Sequence, residues 1–478
     1  MRTTLDRPRA ASPAAPPASR RVSPSARGAA RGGAAPARGA AALAAATPAS
    51  RDRYVDFLRA FSIAVVVLGH WLMATVVWTP TGVRTGNALT VVRWLQPLTW
   101  LLQVMPVFFF VGGFAHLVTH DANRRRGGRY AQFVHGRTAR LLRPVTVLLA
   151  VWVPLTLLLD ASPLPPHVVR PVTRLVVQLL WFLGVYVLVV ALAPATLAAH
   201  RRWGLRVLAV LAVAAAGIDL LAFGAGLRAA GWVNVLPVWL FAHQLGYFYA
   251  DGSFARWGRR GALLLAAGGL AGLVGLTAFG PYPTSMVGMP GERISNMSPP
   301  TLCIVALTCW LVGLVMLARP AVTRWLARPR VWTAVVALNG VIMTVFLWHL
   351  PALLAAVLLL LPFGLFPQAA VGSLAWWALR PVWLAVVAAF LAVLVAVFGR
   401  LERPRPVAYA PVAGRTPVWR QAAAVAGVAL VALGILGLAV AGLSEPATRS
   451  ARMVVVAITP LSALAYLGTG AALLRRTV

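Results

Sequence analysis

Apolar runs of about twenty residues recur along this chain from residue 57 almost to its end, and no other feature restricts its possible folds so much. They fall near 57–77, 97–118, 141–160, 173–194, 206–223, 232–250, 262–279, 301–318, 332–359, 377–399, 421–443 and 453–474. A helix of that length covers a hydrocarbon core of roughly 30 Å. Within lipid the backbone must satisfy its own hydrogen bonds, which helices do. Composition agrees, with 60% hydrophobic and only 11% charged residues, against about 25% charged in a soluble domain. The expected fold is all-α: a polytopic membrane bundle of about twelve transmembrane helices.

The chain has no lysine, so all 44 basic residues are arginine. With twelve spans, most of them fall in alternate loops and tails that share the N-terminal side. By the positive-inside rule both termini are then cytoplasmic, in a multi-pass protein of the cell membrane. The same pattern accounts for the net charge of +34 without nucleic acid, because short loops between spans leave little room for a duplex. Residues 1–50 are mostly Ala, Pro, Ser, Gly and Arg, with a single acid, Asp6. Such a segment cannot bury enough surface to fold, and a disordered basic cytoplasmic tail is expected. Its apolar stretch is too weak for a cleaved signal peptide.

The first span carries Asp56, Arg59 and His70. Arg59 and His70 are eleven positions apart, which returns a helix to within about 20° and separates the two side chains by about 16 Å along the axis. Asp56 falls near the same stripe. Ionisable residues inside a membrane are costly and usually face protein, so the stripe marks a candidate site. Ahead of the third span, Arg137, Arg140 and Arg143 recur every three residues on the side of a helix entering the membrane. They suit either a topological anchor or bidentate contact with a phosphorylated ligand. Arg124 to Arg126 fit the anchor better. Cys303 and Cys309 lie within one span, on different faces, and read as small buried residues. The chain lacks His-Glu-x-x-His, a P-loop and Gly-x-Ser-x-Gly, so no metal and no permanently bound cofactor is expected.

The run Asp56-Phe-Leu-Arg-Ala-Phe-Ser-Ile-Ala-Val-Val-Val-Leu-Gly-His-Trp71, with Arg-x10-His opening the first span, resembles the signature of the membrane acyltransferase 3 family. Arg140-Leu-Leu-Arg143 before Pro144 is similar to that family's Arg-x-x-Arg. Further likeness lies in Met105 to Phe114, in Leu180-Trp-Phe-Leu183 and in Phe346-Leu-Trp-His-Leu-Pro351. The likeness covers roughly residues 54–400, ten spans. It implies transfer of an acyl group, commonly acetyl, from cytosolic acyl-CoA to a hydroxyl of an envelope carbohydrate or other small-molecule acceptor. By resemblance, His70 is the catalytic histidine, Arg59 its partner, and Arg140 and Arg143, with Arg137, hold the donor. The residue types suit that chemistry, since a hydroxyl needs a base and neutral imidazole is one. The chain departs from the family where many members have Ser-Gly-Phe; here Gly112-Gly113-Phe114 stands, followed by His116. Beyond the ten-helix core lie a linker, 401–420, and two additional spans, 421–478.

His349 in the ninth span is either a second functional residue or a histidine satisfied by a helix–helix hydrogen bond. His116 and Asp121 form a His-x4-Asp pattern resembling the motif of glycerolipid acyltransferases, without its context. His243 and Asp219 fit polar contacts between helices, and Asp160, at a span end, fits solvation. Asn339 with His349 is a poor match to the Asn and His pair of the other large membrane acyltransferase family. A proton-coupled secondary transporter is the alternative from another class, since buried His, Asp and Arg in twelve spans also suit proton movement. No repeat relates spans one to six with seven to twelve.

Overall fold

The computed structural model describes residues 39–79, 82–402, 417–444, 451–453 and 456–478. Each of the twelve expected spans has a long helix as its main element: α1 (Arg53–Met73), α2 (Met105–Arg125), α3 (Tyr130–Asp160), α4 (Leu180–Trp203), α5 (Leu205–Asp219), α6 (Val235–Ala250), α7 (Ser253–Phe279), α8 (Leu302–Leu326), α9 (Pro329–Leu360), α10 (Leu374–Phe398), α11 (Val418–Ala441) and α12 (Pro460–Arg476). The stretch 173–194 also takes in a separate helix, Pro166–Gln178, while 97–118 begins in the short helices Arg93–Leu98 and Thr99–Leu102, and 453–474 begins in a strand pair. Ten helical segments among the described residues are long and apolar enough to cross a membrane. Helix α5 reaches that length through a π-helical continuation, Leu220–Gly224, and the two that fall short are α6, with 16 residues, and α12, with 17. A 16-residue helix rises only about 24 Å. Helix α6 is nonetheless buried along most of its length, so its ends meet protein and not hydrocarbon, and a short helix is tolerated there.

Asp52 starts α1 by accepting a hydrogen bond from the Val55 amide at 3.1 Å, which satisfies one of the free amides of the first turn. At Ala74 the backbone turns extended and enters an antiparallel hairpin, β1 (Ala74–Thr79) with β2 (Gly82–Asn87). A second antiparallel pair, Ala451–Met453 with Val456–Ile458, lies between α11 and α12. The remaining architecture is helical, as the apolar runs require.

Small residues set the closest crossings. Gly113 on α2 faces the His243 carbonyl of α6, and Gly246 faces the Phe110 carbonyl; a Cβ at either would overlap the opposite backbone. The two helices therefore approach to backbone contact, as small residues allow in membrane bundles. That approach brings His116 to His243. Gly269 and Gly313 play the same part between α7 and α8. The outward faces carry exposed Leu263, Leu264 and Val274 on α7 and Val382, Val393 and Val397 on α10, apolar surface suited to acyl chains.

Helices α11 and α12 are packed onto the core. Leu436 of α11 sits against Gly184 of α4, while Gly427, Gly434 and Gly470 let α11 and α12 meet closely. Of the expected tail, residues 39–50 are ordered: Ala40–Ala45 form a short helix with Ala44 buried. The Trp332 indole of α9 donates to the Thr47 hydroxyl at 3.0 Å. A short alanine-rich helix gains from such docking what it lacks alone. Residues 1–38 of the expected tail and 403–416 of the expected linker lie outside the described residues. Glu402, at the start of that linker, is buried and accepts from the Trp348 indole at 2.8 Å. Burial raises its pKa.

Candidate functional site

Helices α1 and α9 run side by side, and their polar residues meet at two levels. At the lower level the Asn339 amide donates to the Asp56 carbonyl at 3.0 Å. The Asp56 carboxylate is gripped by Arg51, with contacts of 2.5 and 3.1 Å, and by Arg59 at 3.3 Å. Asp56 is 8% exposed and Arg59 30%, so the arginine keeps part of its guanidinium free while its carboxylate partner is enclosed. Arg51 lies just outside the span, and its hydrogen bond to Asp56 raises its pKa.

At the upper level His70 meets His349, Nδ1 to Nε2, at 3.0 Å. The rings are stacked with centroids 5.1 Å apart. The Trp71 indole donates to the His349 carbonyl at 3.0 Å, which locks the two helices in register. The protons in this pair can be assigned from the hydrogen-bond pattern. His349 Nδ1 lies 2.7 Å from the Phe346 carbonyl, which can only accept, so Nδ1 carries the proton. A neutral imidazole has one N–H, so His349 Nε2 is an acceptor. His70 Nδ1 must then donate to it. The lone pair of His70 is left on Nε2, where a base needs it.

A cavity of about 440 Å³ opens beside the lower level and extends toward this pair as far as Phe346, within the range of small-molecule sites. Its mouth is formed by Ser50, Arg51 and Asp52 at the start of α1, with Arg137 and Arg140 of α3 and Arg59 of α1. Four arginines there face two aspartates, Asp52 and Asp56, so the mouth is net cationic. Its inner walls are Ile63, Phe108, Val111, Phe182, Leu183, Tyr186, Ile342, Met343 and Phe346. The last cavity residue on α1 is Ile63, seven positions or about 10 Å of rise before His70. The last on α9 is Phe346, whose carbonyl binds His349. The cavity thus leads from a basic mouth, along an apolar wall, to Phe346, whose ring centroid lies 6.1 Å from that of His349; neither histidine lines it.

Of the three arginines spaced along α3, Arg137 and Arg140 line the cavity and Arg143 does not. Arg137 donates to the Ala115 carbonyl and the Thr119 hydroxyl of α2, and its Nε is buried without a partner among the described residues. Arg140 is exposed at the mouth. Arg143 Nε donates to the Leu401 carbonyl at 2.9 Å, tying α3 to the end of α10.

The remaining candidates separate clearly. His116 is buried against His243, Nδ1 to Nε2 at 2.9 Å, with the Tyr186 hydroxyl at 3.1 Å from its Nε2. Asp121 is bound elsewhere, to Arg201 at 2.7 and 2.8 Å and to His120 at 3.3 Å, so the His-x4-Asp pattern forms no pair. Asp219 takes bonds from Asn234, Tyr282 and the Leu302 amide, and Asp160 accepts from Ser444. Cys303 and Cys309 are free. No group of three or more metal-ligating side chains occurs among the described residues. Sequence reasoning missed Arg51, which precedes the span, and Tyr186, a lone tyrosine with no motif around it.

A helical membrane bundle that encloses a polarised histidine pair beside a basic cavity is an intramembrane site with the parts of an enzyme. The chain belongs to the acyltransferase 3 family: the sequence model of that family, described as an acyltransferase domain, matches residues 52–401. It is therefore a membrane acyltransferase. No curated protein and no solved structure matches the chain significantly. The matched region contains α1 to α10 and every cavity residue except Ser50 and Arg51.

Proposed function

We propose that the protein transfers an acyl group, acetyl in the simplest case, from cytosolic acyl-CoA to a hydroxyl of an envelope glycan or another small-molecule acceptor. The observation that carries this reading is the contact of His70 with His349, which leaves the His70 lone pair on Nε2, about 10 Å of helix rise beyond the last α1 residue of a cavity with a cationic mouth. The phosphates of coenzyme A suit Arg140, Arg59 and Arg137 at the mouth. The apolar wall suits a thin arm carrying the thioester inward. The acceptor hydroxyl gives its proton to His70 Nε2 as its oxygen forms a bond to the thioester carbonyl carbon. The carbon–sulfur bond then breaks, and the proton passes from His70 to the departing thiolate. No metal and no bound cofactor takes part. Both termini are assigned to the cytoplasm and the protein to the cell membrane.

The deciding experiment compares surface glycans and small metabolites by mass spectrometry in cells with and without the gene, the latter complemented with wild type or His70→Ala. An acyl group that disappears with the gene and returns only with wild type is the expected result. Full restoration by His70→Ala would remove the base.

A further inference from the structure

The second buried histidine pair lies outside the chemistry proposed for His70, yet it ends on the cavity wall. His243 of α6 holds His116 of α2 at 2.9 Å, and His116 holds the Tyr186 hydroxyl of α4 at 3.1 Å. Both histidines are fully buried, and His243 Nδ1 has no partner among the described residues. Burying two imidazoles in a membrane protein is costly unless they serve a polar end. Here that end is one phenol.

Tyr186 lines the cavity between Phe182 and Leu183 on its own helix and Val111, Ile342, Met343 and Phe346 opposite. Among the described residues of this apolar wall it alone carries a side-chain nitrogen or oxygen. Gly112 makes its position possible. A Cβ at residue 112 would come within 3.1 Å of the tyrosine ring and 3.6 Å of its oxygen, closer than the ring allows without shifting.

We propose that Tyr186, oriented by His116 and His243, is a positioning residue for the pantetheine arm of the donor, accepting a hydrogen bond from one of its amide N–H groups. The inference rests on the assignment of acyl-CoA as donor. The arm is a chain of methylenes interrupted by two amides. In an apolar passage an amide without a partner costs far more than one that is bonded. The phenol meets that need with either arrangement of protons. If Tyr186 donates to His116 Nε2, its oxygen keeps lone pairs for the amide. If His116 donates to Tyr186, a second lone pair remains and the phenolic proton is free as well. The histidines thus hold the tyrosine and do not touch the reacting atoms.

The test measures binding of two probes to the full chain in nanodiscs: coenzyme A, and adenosine 3′,5′-bisphosphate, which lacks the pantetheine arm. Tyr186→Phe is expected to weaken coenzyme A on the order of threefold to tenfold, the range of one hydrogen bond, and to leave the bisphosphate unchanged. His116→Ala should give a similar loss, with no further loss when Tyr186→Phe is added to it. Unchanged binding of the nucleotide fragment also shows that each variant is folded. Equal affinity of wild type and Tyr186→Phe for coenzyme A overturns the role of Tyr186 while leaving the donor assignment standing. Failure of wild type to bind coenzyme A overturns the donor assignment, and this inference with it.

Discussion

At the scale of single residues, the part of the site with the most chemistry is a hydrogen bond between two neutral rings. His349 has no charge with which to stabilise a protonated His70, so its contribution is orientation and tautomer. His349→Ala removes the acceptor for His70 Nδ1–H, and the ring is then free to turn or to carry its proton on Nε2. The expected result is a fall in kcat on the order of tenfold to a hundredfold at unchanged KM for acyl-CoA. That is smaller than the loss for His70→Ala, which forfeits general-base catalysis worth on the order of a hundredfold to ten-thousandfold. The double variant should be no slower than His70→Ala alone, because the two act as one unit. Steady-state kinetics on purified protein checks all three, and additive losses would mean that His349 acts apart from His70. In the sequence, His70 stood out through its helix face and its family motif. Its partner was visible only as one of two equal readings, functional or bonded between helices. The contact unites them, and it depends on how α1 and α9 are turned, which neither helix records alone.

At the scale of elements, α3 carries a lesson about spacing. Arg137, Arg140 and Arg143 recur every three residues, but three steps of a helix fall about 60° short of a full turn. The three side chains therefore fan over about 120°. The first two reach the cavity and the third reaches the end of α10. Arg140→Ala should raise the KM for acyl-CoA about tenfold or more, as expected when a hydrogen bond from a charged group is lost, with little change in kcat. Arg143→Ala should leave KM unchanged, since its bond is to the Leu401 carbonyl. A kinetic comparison of the two variants decides the matter, and equal shifts in KM would mean that both arginines meet the donor. The spans themselves were legible because lipid imposes length and apolarity on every one of them. The approach of α2 to α6 was not. Gly113 and Gly246 are two glycines among 41, and only the structure says which ones meet a facing backbone.

At the scale of the whole molecule, topology and site have to agree. If all twelve helices cross the membrane, ten of them long and apolar enough by themselves among the described residues, the two ends of the chain lie on one side. Arg124 to Arg126 at the end of α2, Arg201 and Arg202 in the last turn of α4, and Arg259 and Arg260 in the first turns of α7 then share the side where α1 begins. The cavity mouth, with Arg51 and Arg140, opens on that same side. The positive-inside rule and the proposed cytosolic donor therefore select the same orientation by separate arguments. Had the basic loops and the mouth lain on opposite sides, either the span count or the donor would have had to be abandoned. The orientation is open to direct measurement with single cysteines placed in a background of Cys303→Ala and Cys309→Ala. Arg202→Cys lies in the basic last turn of α4, and Arg293→Cys lies in the long segment between α7 and α8; both side chains are exposed. In intact cells a membrane-impermeant maleimide should label Arg293→Cys and spare Arg202→Cys, which should react only after the membrane is permeabilised. The reverse pattern would place the mouth outside, away from acyl-CoA, and the His70 chemistry would then need a different donor.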